Sequence, residues 1–287
     1  MPLSELQERV LAALADNRSS ESHLAGAGAI HSARDSLRYS GDIDLFHDRE
    51  AAVAASFAKD RQSLEQAGYT VEVMLSQPGF IRGLIRSADH GTVLLDWAHD
   101  SAWRFMPTVV VERLGHVLHP VDLAVNKVLA LGGRDEPRDW IDILYLDQRF
   151  ISLGALIWAA VGKDPGLNPR MLLDLLRRKG KIQQRDLDRL HLEGSVVLEQ
   201  LHQQWKRSLD EADRFVQSRP ASEAGRLYLS EKGFFFTPQP GEAYQLHAPE
   251  PGGVLPRLGS STGSLFESPE LRRQLERFFG RTIGDFG

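Results

Sequence analysis

Residues 24–46 read LAGAGAIHSARDSLRYSGDIDLF and carry the clearest structural pattern in the chain. A run of small and apolar residues around two glycines predicts a turn and the start of a helix, and DIDLF at 42–46 fits a strand. Alternate side chains of a strand share one face, so Asp42 and Asp44 point the same way while Ile43 points into the core. The segment therefore predicts a turn, a helix and a strand that presents two carboxylates.

A third carboxylate, Asp96, ends the apolar run VLLD in another predicted strand, GTVLLDW at 91–97. If the two strands are neighbours in one sheet, Asp42, Asp44 and Asp96 converge on one patch. Two like charges 4 Å apart repel by about 4 kcal/mol at an effective dielectric constant near 20, so either the carboxylates are protonated or a cation fills the site. Hard oxygen ligands suit Mg²⁺, and two such ions roughly 3.5–4 Å apart would activate a hydroxyl and neutralise a leaving pyrophosphate. The sequence predicts a magnesium site with these three ligands.

Helical and extended patterns divide the chain into three predicted parts. Residues 1–115 mix helices with strands, which indicates an α+β core around a mixed sheet. Residues 116–218 are helical by periodicity, with prolines at several helix starts. Residues 219–287 contain a predicted hairpin at 227–236, then an arm dense in Pro and Gly.

Composition excludes several classes of protein. The chain has 287 residues, 42% of them hydrophobic and 25% charged, which is ordinary for a soluble globular protein. A formal net charge of −5 argues against a uniformly basic nucleic-acid coat, and the absence of cysteine excludes disulfides, thiolate zinc sites and a cysteine nucleophile. No apolar run approaches the roughly 20 residues of a membrane helix, so we expect a soluble, cytoplasmic protein without a membrane segment.

The 24–46 segment resembles the first motif of polymerase-β-like nucleotidyltransferases, and more narrowly that of the AbiEii/AbiGii toxin family. In that family an arginine, a serine two residues later and an Asp pair end the motif, as Arg38, Ser40, Asp42 and Asp44 do here. The resemblance implies that Arg38 and Ser40 help to bind a nucleotide and that the Asp pair binds metal and acts in catalysis.

The glycine turn of the same motif is expected to lie against the nucleotide. Gly26 and Gly28 allow backbone amides to approach a phosphate at the start of a helix, whose N-terminus attracts anions. The family usually has two adjacent glycines in this turn, and here the second is Ala27. Because alanine adopts positive φ only with strain, this difference implies altered phosphate contact.

A second match covers residues 119–146, HPVDLAVNKVLALGGRDEPRDWIDILYL. It is similar to the helical motif of the same family, which has a lysine, an arginine, an Arg-Asp pair and a further Asp: Lys127, Arg134, Arg138, Asp139 and Asp142. The resemblance implies that Lys127 binds the β- and γ-phosphates and that Asp139 is catalytic. Asp139 and Asp142 are expected on one helix face. The two matches cover roughly the first 150 residues.

The resemblance implies a magnesium-dependent nucleotidyltransferase that moves an NMP from an NTP to a hydroxyl acceptor. The implied acceptor is RNA, such as tRNA, and the implied setting is a toxin–antitoxin pair or phage defence. A cognate antitoxin protein is then the expected partner.

Three other interpretations fit parts of the sequence. A small-molecule nucleotidyltransferase would use the same acids but would not need the basic run RRKGKIQQRDLDR at 177–189. A catalytically idle member of the fold would serve as a nucleotide- or RNA-binding module. A dinucleotide-binding turn is disfavoured, because His31 replaces the third glycine and no apolar strand is predicted before Leu24.

Overall fold

A computed structural model describes most of the chain, namely residues 3–33, 35–36, 38–194, 196–256 and 269–286. The chain divides into two compact units. The first unit comprises Met1–Pro120, Glu250–Gly253 and Leu275–Gly287, and the second comprises Val121–Pro249 and Val254–Gln274. Residues 219–287, a third part in the prediction from sequence, are divided between the two units.

The helices alternate with strands in the first 120 residues and dominate the second unit. They are α1 (Glu5–Leu14), α2 (Gly26–Ile30), α3 (Glu50–Gln66), α4 (Pro120–Gly133), α5 (Pro137–Arg149), α6 (Leu153–Ala160), α7 (Pro169–Arg178), α8 (Gln184–Leu187), α9 (Leu198–Ser218) and α10 (Pro269–Phe279). The strands are β1 (Ser22–Ala25), β2 (Asp42–His47), β3 (Thr70–Gln77), β4 (Phe80–Ser87), β5 (Gly91–His99), β6 (Trp103–Arg104), β7 (Val109–Val111), β8 (Gly115–Val117), β9 (Leu227–Leu229), β10 (Gln245–His247), β11 (Glu250–Pro251) and β12 (Ile283–Phe286).

The first unit is built around one mixed sheet. Within the described residues this sheet has eight strands, in the order β12-β7-β8-β1-β2-β5-β4-β3. The β1–β8 and β2–β5 pairs are parallel, and the other neighbours are antiparallel. Helices together with a mixed sheet confirm the predicted α+β class.

The face of the sheet opposite Asp42 and Asp44 forms the core of the first unit. Leu45 of β2 lies beside Trp97 of β5 in the parallel register, and both are completely buried. Phe57 of α3 packs edge-on against Trp97, with 5.0 Å between ring centroids. The alternation of β2 therefore buries Ile43 and Leu45 and turns both aspartates to the other face, as predicted.

The structure corrects the prediction for the residues before the glycine turn. Ser22–Ala25 form a strand, β1, where the sequence suggested no strand. The strand was missed because it has only four residues and begins with polar Ser22 and His23. Its burial comes from pairing with both β2 and β8, which local sequence does not reveal. A dinucleotide-binding unit is still not formed, because β1 and β2 are antiparallel and not parallel.

The predicted turn at 231–233 is present. The strand before the turn, however, pairs along its length with β10 and not with the residues directly after the turn. Ser230 N donates to Phe234 O, and Leu229 bridges to Phe235. All three residues of β9 pair with β10, which lies in the predicted arm. Part of that arm lies among residues 257–268, which are outside the described residues.

Close helix packing organises the second unit. Gly154 of α6 faces Phe215 of α9, and a Cβ atom at Gly154 would lie 2.9 Å from the Phe215 Cβ. Trp158 adds an edge contact to Phe215, with 6.3 Å between centroids. Of the helices in the described part of the chain, no single one has the length and apolar composition to cross a membrane. Within the same described residues, one pair of helices, α5 and α6, passes that test jointly, and it is bent by 114°.

A buried carboxylate, Asp60, joins α3 to the segment after α1 and to the sheet. The side chains of Arg18 and Asp60 are 1% and 0% exposed, and the guanidinium group donates to both carboxylate oxygens. Trp97 Nε1 donates to Asp60 Oδ2 at 2.7 Å, and Asn17 Nδ2 donates to Oδ1 at 2.9 Å. Asp60 thus accepts hydrogen bonds both from the sheet and from the segment after α1, the two elements that lie beside α3.

We predict that Asp60→Ala lowers the free energy of unfolding by about 3–5 kcal/mol, because it leaves Arg18 buried without its partner. The matched control is Glu65→Ala on the same helix, whose pair with Arg61 is about half exposed and should contribute less than about 1 kcal/mol. Urea unfolding followed by tryptophan fluorescence measures both. Equal effects of the two substitutions would contradict the structural role given to Asp60.

Candidate active site

The three predicted carboxylates lie on one face of the sheet. In the register, Asp44 of β2 pairs with Asp96 of β5, and Asp96 pairs in turn with Arg82 of β4. Paired residues of neighbouring strands share a face, and Asp42 shares it because it lies two residues before Asp44. The structure therefore brings Asp42, Asp44 and Asp96 together, next to an arginine.

The absence of a side chain at Gly26 leaves room for the Asp44 carboxylate. A Cβ atom at Gly26 would lie 1.8 Å from Asp44 Oδ2 and 2.6 Å from Asp44 Cγ. Gly26 also has a φ of +63°, in the region that L-residues with a side chain rarely adopt. Glycine is required at this position by its contact with the carboxylate as well as by its backbone conformation.

The rest of the glycine turn is less constrained. Ala27 lies within α2, and Arg113 is the one non-glycine residue of the described chain with positive φ, so Ala27 is free of the strain expected from sequence. A Cβ atom at Gly28 would lie 3.6 Å from the main-chain oxygen of Asp42, an ordinary contact. The nucleotide-binding roles of Gly26, Ala27 and Gly28 stay predictions.

Ser40 and Arg38 shape the loop that leads into β2. The Ser40 hydroxyl lies 3.1 Å from Asp42 Oδ1 and 2.9 Å from the Asp42 main-chain oxygen. Gln7 Nε2 of α1 donates to the Ser40 main-chain oxygen at 2.8 Å. Arg38 is buried and donates to the Tyr39 main-chain oxygen at 3.0 Å. Ser40 is thus placed to orient the Asp42 carboxylate.

Arg82 was not identified from sequence, and it contacts both carboxylate oxygens of Asp96. Its Nε donates to Asp96 Oδ1 at 2.7 Å and its Nη2 donates to Asp96 Oδ2 at 2.6 Å. The hydrogen bonds to Asp96 raise the pKa of the Arg82 guanidinium above its usual value, and the charges of Asp42 and Asp44 act in the same direction. The alternation of FIRGLIR at 80–86 predicts which residues share a face with Arg82. It does not predict that Arg82 lies opposite Asp96, because that depends on the register of β4 and β5.

The donor chemistry at this face fits a magnesium ion with two carboxylates. Mg²⁺ is commonly held by one or two carboxylates with substrate phosphates and water, and Asp42 and Asp44 supply such a pair. Asp96 differs, because both of its oxygens accept hydrogen bonds from Arg82. Among the described residues, no group of three or more His, Asp or Glu side chains is arranged to hold a metal ion. The predicted role of Asp96 as a metal ligand stays a prediction.

An ion cluster in the second unit contains four more of the predicted residues, namely Lys127, Arg134, Asp139 and Asp142. Lys127 Nζ of α4 lies 2.8 Å from Asp139 Oδ1 and 3.0 Å from Asp142 Oδ2 of α5. Arg134 Nε donates to Asp139 Oδ2 at 2.6 Å. Both aspartates are completely buried and lie on one face of α5, as the i, i+3 spacing predicts.

The contacts within the cluster favour the charged forms of Lys127 and Asp139. Burial by itself lowers the pKa of Lys127, but the carboxylates of Asp142 and Asp139 outweigh it, and the pKa lies above its usual value. Burial likewise raises the pKa of Asp139, but Arg134 and Lys127 outweigh it, and that pKa lies below its usual value. The Lys127 ammonium is therefore fixed within its own unit by two carboxylates. Its predicted contact with phosphate is untested.

Comparison with known proteins gives the family of the chain. The family model described as "Nucleotidyl transferase AbiEii toxin, Type IV TA system" matches residues 9–226. No curated protein matches the chain. The family match confirms the resemblance found in the two motifs.

Two solved structures are similar to this chain. MenT4, a nucleotidyltransferase toxin from Mycobacterium tuberculosis H37Rv, is 14% identical, with a TM-score of 0.52 over 76% of this chain and 83% of that chain. JHP933 from Helicobacter pylori is 16% identical, with a TM-score of 0.48 over 75% of this chain and 95% of that chain. Since the family model spans more than half of the sequence, the chain belongs to the AbiEii family of nucleotidyltransferase toxins.

Proposed function

We propose that this nucleotidyltransferase moves an NMP from an NTP to a hydroxyl of RNA, tRNA in particular, and that Asp42 and Asp44 bind the Mg²⁺ the reaction needs. The observation that carries the proposal is the placement of Asp42, Asp44 and Asp96 on one sheet face, in a chain of this family. The proposed physiological role is that of a toxin controlled by a cognate antitoxin, with phage defence as a setting.

The proposed reaction is a substitution at the α-phosphorus. The acceptor hydroxyl oxygen forms a bond to the α-phosphorus and loses its proton, and the bond to the bridging oxygen breaks as pyrophosphate leaves. A bound Mg²⁺ would neutralise charge on the phosphates and help to orient them. Asp42 and Asp44 would hold it with their carboxylates, Ser40 would orient Asp42, and Gly26 would leave room for Asp44.

Lys127 and Asp139 are proposed to contribute to nucleotide binding and catalysis because they match the second family motif. Their ion cluster supports a rigid arrangement, since Lys127 contacts two fully buried carboxylates within its unit. A compact ammonium group fixed in this way is suited to bind phosphate oxygens as a point charge. Arg38 and Ser40 are proposed to contact the nucleotide beside the metal-binding pair.

We predict that Asp42→Ala and Asp44→Ala each lower the rate of nucleotidyl transfer by at least about a hundredfold, the scale expected when a group that stabilises the transition state is removed. Circular dichroism should show an unchanged fold, because each change removes a repulsive charge. Transfer of radiolabelled NMP from each of the four NTPs to total tRNA is the assay.

The control for this pair is Glu72→Ala, which removes an exposed carboxylate from β3 of the same sheet and should leave the rate unchanged. Activity of the Asp42→Ala, Asp44→Ala double variant equal to that of the wild type, with Mg²⁺ present, would refute the proposed site. Transfer to a small molecule but not to RNA would favour the small-molecule alternative.

Lys127→Ala should weaken NTP binding about tenfold or more, because a charge-assisted hydrogen bond to phosphate contributes roughly 1.5–3 kcal/mol. It should also lower stability by about 3–5 kcal/mol, because two buried carboxylates lose a counter-ion. Calorimetric titration with NTP and Mg²⁺, at a temperature where the variant is folded, separates the two effects.

Lys206→Ala is the matched control, because Lys206 is an exposed lysine on a helix of the same unit. It should change neither stability nor affinity. An affinity of Lys127→Ala within about threefold of the wild type, less than ~0.7 kcal/mol, would show that Lys127 serves the fold alone.

RNA binding is expected to involve the basic run at 177–189. Arg178 and Lys181 are exposed, whereas Arg177 is held by Asp213 at 2.6 Å and by Asp174 at 3.3 Å. We predict that Arg178→Glu with Lys181→Glu weakens RNA binding and reduces its salt dependence by a slope of about 0.7 for each phosphate that the protein no longer binds. NTP binding should be unchanged. RNA affinity equal to that of the wild type across a salt titration would exclude this run from the interface.

A further inference from the structure

We propose that Arg82 is a positioning residue that holds Asp96 away from a metal ion bound by Asp42 and Asp44. The inference rests on the proposed metal site at Asp42 and Asp44. It concerns whether Asp96 can bind the same cation, and what controls this.

The geometry of the Arg82–Asp96 pair supports this role. Two separate guanidinium nitrogens contact the two carboxylate oxygens, at 2.7 and 2.6 Å. This fork-to-fork arrangement is among the strongest hydrogen-bonded ion pairs in proteins and fixes the plane of the carboxylate. The Asp96 side chain is 7% exposed, so water competes little for its oxygens. Asp96 is therefore both oriented and neutralised by Arg82.

The electrostatics of the cluster support the same role. The charges of Asp42 and Asp44 also act on the Arg82 guanidinium, which therefore lies in the field of all three carboxylates. A divalent cation bound to Asp96 would lie beside this guanidinium group and be repelled by it. Arg82 and a cation thus compete for the same negative charge, and each weakens the binding of the other.

The neighbouring arginine of β4 shows that the Asp96 pair is not a generic cross-strand pair. Arg86, four residues later, contacts Glu72 through one carboxylate oxygen, at 2.7 and 3.3 Å. Both partners of that pair are about half exposed. Arg82 is also supported by the ring of Phe80, whose centroid lies 5.7 Å from the guanidinium carbon. One strand therefore carries an ordinary surface pair and a second pair that faces the carboxylate cluster.

The test is a Mn²⁺ titration without nucleotide, in which the electron paramagnetic resonance signal reports free Mn²⁺. Arg82→Ala and Arg82→Gln should each bind Mn²⁺ about tenfold more tightly than the wild type, because they remove a positive charge and free Asp96, in a site partly screened by solvent. Arg86→Ala is the matched control and should bind as the wild type does.

Thermal unfolding provides a second readout. Without metal, Arg82→Ala should unfold at a lower temperature than the wild type, because Asp96 loses its partner. Saturating Mn²⁺ should then raise its unfolding temperature by more than that of the wild type, since tighter binding stabilises the folded state more. Arg82→Gln keeps an amide donor near Asp96 and provides a folded variant if Arg82→Ala is unstable.

The outcomes for the metal site and for Arg82 are distinguishable. Loss of Mn²⁺ binding in the double variant Asp42→Asn, Asp44→Asn, alongside tighter binding in both Arg82 variants, supports both. Retention of Mn²⁺ binding in the double variant would overturn the proposed metal site. If the double variant loses binding but both Arg82 variants bind Mn²⁺ no more tightly than the wild type and Arg86→Ala do, the role of Arg82 is overturned alone.

Discussion

Electrostatic repulsion among Asp42, Asp44 and Asp96 is the constraint on which the candidate site depends. The parallel register of β2 and β5 sets Asp44 beside Asp96. A shift of β2 by one residue would turn Asp42 and Asp44 towards the apolar core, so burial of the opposite face fixes the register. The repulsion is reduced by Arg82, which pairs with Asp96, and Gly26 gives Asp44 the space to lie on this face.

In the second unit the carboxylates of the site are fully buried, and positively charged side chains compensate them. Lys127 and Arg134 together balance Asp139, and Lys127 also pairs with Asp142. Removal of one member of such a cluster leaves a buried charge without a partner, so the fold and the proposed chemistry depend on the same side chains. In the first unit, by contrast, Asp42 and Asp44 are partly exposed, so the proposed cation could reach them from solvent.

Features set by local sequence were predictable, and features set by distant pairing were not. The shared face of Asp42 and Asp44 follows from the period of a strand, and the shared face of Asp139 and Asp142 follows from the period of a helix. The partner of Asp96 depends on the register of β4 against β5, which the sequence does not state. The strand β1 was missed for the same reason, since its neighbours provide its burial. The family match then supplied the activity, which no single motif established.

The central claim is that the sheet face carrying Asp42 and Asp44 holds the catalytic metal of this toxin nucleotidyltransferase. Crystals grown with Mn²⁺ and a non-hydrolysable NTP analogue test it most directly, because anomalous scattering locates manganese independently of the protein atoms. We predict a Mn²⁺ ion bound by carboxylate oxygens of both Asp42 and Asp44 and by phosphate oxygens of the nucleotide. A bound nucleotide whose metal contacts neither aspartate would contradict the claim.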